Sequence, residues 1–237
     1  MENSTQKNLV KLKKQAKLDE VPVQDDIKYV AEALLKKIPI VGDALAYLIH
    51  TTFPNLWQER LKKFLDEIAI EVEKVKDKVD KHIIETEEFS YIFEKTMRSV
   101  LQNYQKEKIE CFKAVFIHSL LSTDVKTEEK EFFLTLVNEM TVTHIKILYL
   151  FYDPDAFNKR HGDGVKNGGV GSRMQILKRC FPGTSEALLR SVVSDLDSKG
   201  LTRVSTALNG TLSSTDISML TGLITDFGKK FVDFVTL

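Results

Sequence analysis

Six basic side chains lie between positions 173 and 203, and five of them are candidate contacts for an anion: Arg173, Lys178, Arg179, Arg190 and Arg203, with Lys199 the sixth. Guanidinium and ammonium groups gathered in this way suit the phosphate backbone of a nucleic acid. Acidic residues interrupt the set, because Glu186, Asp195 and Asp197 fall among them. Just upstream, Gly162-Asp-Gly164-Val-Lys166-Asn-Gly168-Gly169-Val-Gly171-Ser172-Arg173 would let backbone amides approach an anion ahead of a helix N-terminus. The G-x-x-x-x-G-K-[ST] spacing of a phosphate-binding loop is missing and no strong strand precedes it, so this stretch reads as an insertion between two helices.

Other reactive groups are scattered. Cys111 and His118 stand seven residues apart on one helix face. That is about 10 Å along the axis at ~1.5 Å per residue, too far for a hydrogen bond that activates a thiol. His82 and His118 have no second ligand at metal-binding spacing. His161 with Asp153, Asp155 and Asp163 has carboxylates nearby but no fixed ligand pattern. Nothing resembles G-x-S-x-G, H-E-x-x-H or C-x-x-C. The expectation is a protein that is not an enzyme, with no catalytic residues, cofactor, metal or small-molecule substrate.

Composition narrows the class. The 237 residues are 43% hydrophobic and 29% charged, enough apolar material for a sizeable core. Lys+Arg and Asp+Glu are both 34, so the chain carries no bulk attraction for nucleic acid or anionic membrane. Two cysteines cannot build a disulfide framework, and MENSTQKNLVKLKKQ has no apolar signal-peptide core, so a cytoplasmic location is expected.

Glycine usage divides the chain. Between Asp43 and Tyr152 there is no glycine and a single proline, Pro54, which favours continuous helix. Residues 1–23 read as a basic flexible arm, with Lys7, Lys11, Lys13, Lys14 and Lys17 opposed near the start only by Glu2. Residues 24–140 read as an antiparallel helical bundle. A helix starts near Gln24–Asp26 and breaks at Pro39. The apolar run Pro39–Ile49 is too short for the ~20 residues of a membrane-crossing helix and reads as buried core, so no membrane partner is expected. Asn55 is expected to cap the next helix. Along it Trp57, Leu61, Phe64, Ile68, Val72, Val75 and Val79 form a heptad seam that must pack on partner helices. Thr86–Tyr104, Ile109–Leu120 and Thr127–Met140 supply three more helical patterns.

Residues 141–237 form a different module, with a glycine-rich insertion at 153–171. A short apolar helix closes at Asp153–Pro154, and a second runs from Ser172 to Phe181. A third begins at Thr184 or Ser185 and stops at Gly200. Leu201–Thr206 reads as a strand, Asn209–Gly210 as a turn and Ile217–Ile224 as a second strand, before a last helix capped by Thr225. Helix, helix, helix, strand, turn, strand, helix is the order of a winged helix-turn-helix. "VVSDLDSKGLTRV" (Val192–Val204) resembles that family's third helix entering a strand. "LITDFGKKFVDFV" (Leu223–Val235) resembles its closing Leu-Thr-x-x-Gly-x-x-Phe helix. The expected fold is therefore mainly α, a helical bundle followed by a winged-helix-like α+β domain.

Across the whole chain, "IPIVGDAL" (Ile38–Leu45), the element order and the closing motif resemble the Abi-alpha type of bacterial proteins. That resemblance implies a role in abortive infection, a form of phage resistance, without implying a mechanism. In DNA-binding winged helices the third helix enters the major groove with exposed Arg, Lys, Asn or Gln. Here residues 185–199 offer two basic against three acidic residues. Action through a protein partner or self-association is the expectation. Two alternatives stand beside it: a DNA-binding regulator using the basic residues named above, and a membrane-active effector using Ile38–Ile49 and the lysine arm.

Overall fold

The computed structural model describes residues 54–79, 81–84, 86–121, 124–162, 171–205, 208–212 and 218–237. The lysine arm, the helix expected from Gln24 and the apolar run Ile38–Ile49 lie outside the described residues. What is described is mainly helical. The chain divides into two compact units between Leu134 and Thr135.

In the N-terminal unit, α1 (Pro54–Val75) leads through a 3-10 turn (Lys76–Lys78) to α2 (Lys81–Ile84), α3 (Glu87–Gln102) and α4 (Lys106–Ser119). A fifth helix, α5 (Thr127–Glu139), contains the division between the units. Helices α1, α3 and α4 are in mutual contact. From the expected seam, Leu61, Phe64, Ile68 and Val72 are all buried. Each such side chain contributes roughly 1.5–3 kcal/mol on leaving water. Helix α3 turns Phe89, Ile92, Phe93, Met97, Val100 and Leu101 inward, and α4 is buried along its whole second half, Cys111–Ile117. Phe89 and Phe93 each stand 5.7 Å from Phe116, an aromatic cluster between α3 and α4. Polar ties hold the same helices: Arg60 donates to the Leu101 carbonyl at 2.9 Å, and Lys113 on α4 reaches Glu67 on α1 at 3.0 Å.

The seam needs two corrections. The helix begins at Pro54, so Asn55 lies inside it and does not cap it. It also stops at Val75, and Val79 instead forms an isolated bridge with Leu121. A periodic apolar pattern continues through a 3-10 turn as easily as through an α-helix, which is why spacing alone overran the end. Trp57 lies on α1.

In the C-terminal unit, α6 (Val142–Tyr152) touches α7 (Pro154–His161), α9 (Glu186–Ser198), α10 (Ser218–Thr221) and α11 (Asp226–Val235). Its apolar sequence follows from that central position, with Ile147, Leu148, Leu150 and Phe151 fully enclosed. Helix α8 (Arg173–Cys180) packs against α9 and begins directly after β1 (Gly171–Ser172). Strand β1 pairs antiparallel with β2 (Thr211–Leu212), Gly171 opposite Leu212 and Ser172 opposite Thr211.

Two expectations fail here. The segment 153–171 is not one glycine-rich insertion, because Pro154–His161 is helical. Asp153 accepts from the Ala156 amide at 2.9 Å and Pro154 occupies the first turn, so the pair that closes α6 also opens α7. The second failure concerns the strands at Leu201–Thr206 and Ile217–Ile224. Thr206 and Ile217 lie outside the described residues; among the described ones Thr202 and Ile224 alone bridge, and Ser218–Thr221 folds as a helical turn. The amides of Val204 and Ser205 are captured by the Asp197 carboxylate at 2.9 and 2.7 Å, so they leave the ladder.

Candidate interaction face of the C-terminal unit

Helix α9 is fixed at both ends by local chemistry. Ser185 caps it, its hydroxyl accepting from the Leu188 amide at 3.2 Å. At the other end Gly200 adopts φ +74°, and the Leu201 amide reaches back to the Leu196 carbonyl at 3.0 Å. Leu189, Val192, Val193 and Leu196 face the core.

The exposed positions on the opposite side are uncharged: Ala187, Leu188, Ser191, Ser194 and Ser198. The charged residues of α9 are each engaged at the flanks. Both the Nε and an Nη of Arg190 donate to one oxygen of Glu186, at 3.1 and 2.7 Å, and that Nη also donates to Asn209 at 3.0 Å. Lys178 of α8 stands 3.5 Å from the other Glu186 oxygen. The hydrogen bond from Arg190, then that from Lys178, holds the Glu186 carboxyl below its ordinary value. Asp195 meets His144 at 3.2 Å and Lys199 at 3.2 Å, and Lys199 also reaches Glu139 at 3.4 Å.

Asp197 turns away to organise the chain that follows. It accepts from the Thr202 and Ser205 hydroxyls, each at 2.5 Å, in addition to the two backbone amides. Burial opposes its charge, but these hydrogen bonds outweigh burial and hold the carboxyl below its usual range.

Of the five basic candidates, two are brought together on one carboxylate. Lys178 and Arg190 converge on Glu186 near the start of α9. Arg203 follows the other end of α9 with its side chain exposed, its amide donating to the Leu223 carbonyl at 2.8 Å. Arg173 and Arg179 lie on α8, both half-buried. The stop at Gly200 and the cap at Thr225 were both readable from residue type. Leu188, which is 50% exposed, is a candidate contact residue that apolar periodicity concealed, because it sits beside buried Leu189.

Among the described residues no group of three His, Cys, Asp or Glu side chains is placed to hold a metal ion. Both cysteines are free thiols. Burial pushes Cys111 up to about 12 and Cys180 up to about 11, so neither is a thiolate nucleophile at neutral pH. Asp153 is committed to capping α7, and His161 packs its ring 4.6 Å from Phe157. No helix among the described residues is long and apolar enough to cross a membrane. Compared with protein-family models, curated proteins and solved structures, the chain has no match.

Proposed function

We propose that this chain is a non-enzymatic bacterial binding protein of the cytoplasm, in which an N-terminal helical bundle is joined to a winged-helix-like domain that works through protein contacts. The observation that carries this reading is the outer face of α9. A helix that reads DNA presents Arg, Lys, Asn or Gln outward, whereas this one presents Leu188 among alanine and serine with its charges neutralised at the flanks. A neutral face with one large apolar side chain suits a protein surface, either another protein or a second copy of the chain. The winged-helix reading draws support from the α8–α9 pair, the β1–β2 pairing that leads into it, and the Thr202–Ile224 bridge ahead of the closing helix. The bundle reading draws support from the mutual packing of α1, α3 and α4. A place in phage defence by abortive infection follows from the resemblance of the sequence to Abi-alpha proteins.

Titration of the full-length protein into labelled duplex DNA at about 50 and 200 mM salt tests the reading. Weak binding at most is expected at either concentration. Tight binding at low salt that weakens steeply would overturn it in favour of a DNA-binding regulator, the reading that exposed Arg203 favours.

A further inference from the structure

We infer that Glu186 is the residue that keeps the α8–α9 pair off polyanions, which reserves this face for a protein contact. The inference rests on the protein-contact reading and names the group that enforces it. In a helix-turn-helix the N-terminal residues of the second helix come closest to the nucleic acid. Here that place holds a carboxylate in the first turn of α9, where the helix dipole favours negative charge and a phosphate would otherwise sit.

Geometry makes Glu186 an internal substitute for that phosphate. Its two oxygens are divided between the two cations nearest the start of the helix. One takes a forked pair of hydrogen bonds from Arg190, at 2.7 and 3.1 Å, and the other faces Lys178 at 3.5 Å. Asn209, in the turn before β2, holds the same guanidinium at 3.0 Å, so the fork is gripped from two elements at once. An incoming phosphate would have to displace a tethered carboxylate from both cations, and would then meet that carboxylate as a like charge. Glu186 thereby offsets one of the two positive charges and reduces the gain from releasing counterions.

The test compares binding of labelled mixed-sequence duplex DNA by the full-length wild type, Glu186→Gln, and Glu186→Gln combined with Lys178→Ala and Arg190→Ala. Glutamine keeps the size of the side chain and Ser185 still caps the helix, so circular dichroism and thermal midpoint serve as the check that α9 is intact. The expected result is weak binding by the wild type and at least about tenfold tighter binding by Glu186→Gln at 50 mM salt. Two new phosphate contacts should steepen the logarithmic salt slope by about 1.8, and so weaken that binding by about tenfold at 200 mM. The triple variant should return to the wild-type value. If Glu186→Gln binds no more tightly than a weakly binding wild type, Glu186 is not the determinant, while the protein-contact reading stands. A wild type that already binds tightly and releases with salt overturns the protein-contact reading itself, and this inference with it.

Discussion

Gly228 lies so close to Leu201 that a Cβ placed on it would stand 2.1 Å from the Leu201 carbonyl oxygen. The obstacle is backbone, so it cannot be relieved by moving a side chain. Around this contact the Thr225 hydroxyl accepts from the Gly228 amide at 2.8 Å and donates to the Gly200 carbonyl at 2.7 Å. The Thr225 amide completes the lock by donating to the Leu201 carbonyl at 3.0 Å. The closing Thr-x-x-Gly pattern is thus a device that seats α11 on the turn leaving α9. Gly228→Ala is expected to destabilise the protein by about 3 kcal/mol through this overlap. Urea unfolding measures it, and a loss under about 1 kcal/mol would mean that α11 is not seated there.

Asp197 gathers four hydrogen bonds from Thr202, Val204 and Ser205. Asp197→Ala should cost about 1–2 kcal/mol, the value for hydrogen bonds to a charged group discounted for partial exposure. Hydrogen exchange offers a sharper reading, because the Val204 and Ser205 amides should lose protection ahead of the rest of the unit. Since the folded-state pKa is depressed, this contribution is present above the ordinary aspartate value of 3.8 and is lost as pH falls through the folded value.

His144 carries a pH dependence of its own. Its Nδ1 accepts from the Thr141 amide at 3.2 Å, which requires a neutral ring, and its Nε2 faces Asp195 at 3.2 Å. Burial pushes the imidazole below its ordinary 6.5, and Lys199 acts in the same direction, against the attraction of Asp195. A base with a depressed folded pKa contributes stability that is complete above 6.5 and lost as pH falls through the folded value. Glutamine at this third helical position preserves the capping box with Thr141 while removing the titration. His144→Gln should therefore match the wild type near pH 7 and retain more of its stability at pH 5. Parallel pH profiles for the two proteins would show that His144 does not titrate in this way.

Leu188 gives the contact face a direct readout. A photo-cross-linking residue at position 188 in cells that express the protein should yield a discrete protein adduct, either a second copy of the chain or another protein. The same residue at Asp226, whose side chain is fully exposed at the start of α11, serves as the control. Equal labelling at the two positions would argue against a specific face on α9.

Local sequence determined most of the helices and several of their ends. Thr86, Ser172, Ser185 and Thr225 each accept from the amide three residues ahead, a bond that needs no partner from elsewhere in the chain. Leu61, Phe64, Ile68 and Val72 point inward as their spacing requires, because a helical period by itself gathers them on one face. Where local signals served two purposes, only the fold decided between them. Asp153–Pro154 ends one helix and begins another, and the β-branched run after Gly200 gives its amides to Asp197 instead of extending a strand. Charge is the clearest case. Glu186, Arg190, Asp195 and Asp197 read from the sequence as an exposed charged face on α9. The structure leaves the Glu186, Arg190 and Asp195 side chains partly exposed but pairs Glu186 with Arg190 and Lys178, Asp195 with His144 and Lys199, and Asp197 with the following turn. Residue type sets how many charges a helix carries. How they are paired depends also on partners 8 to 51 residues away, such as Glu186 for Lys178 and His144 for Asp195, and only tertiary packing brings those within reach.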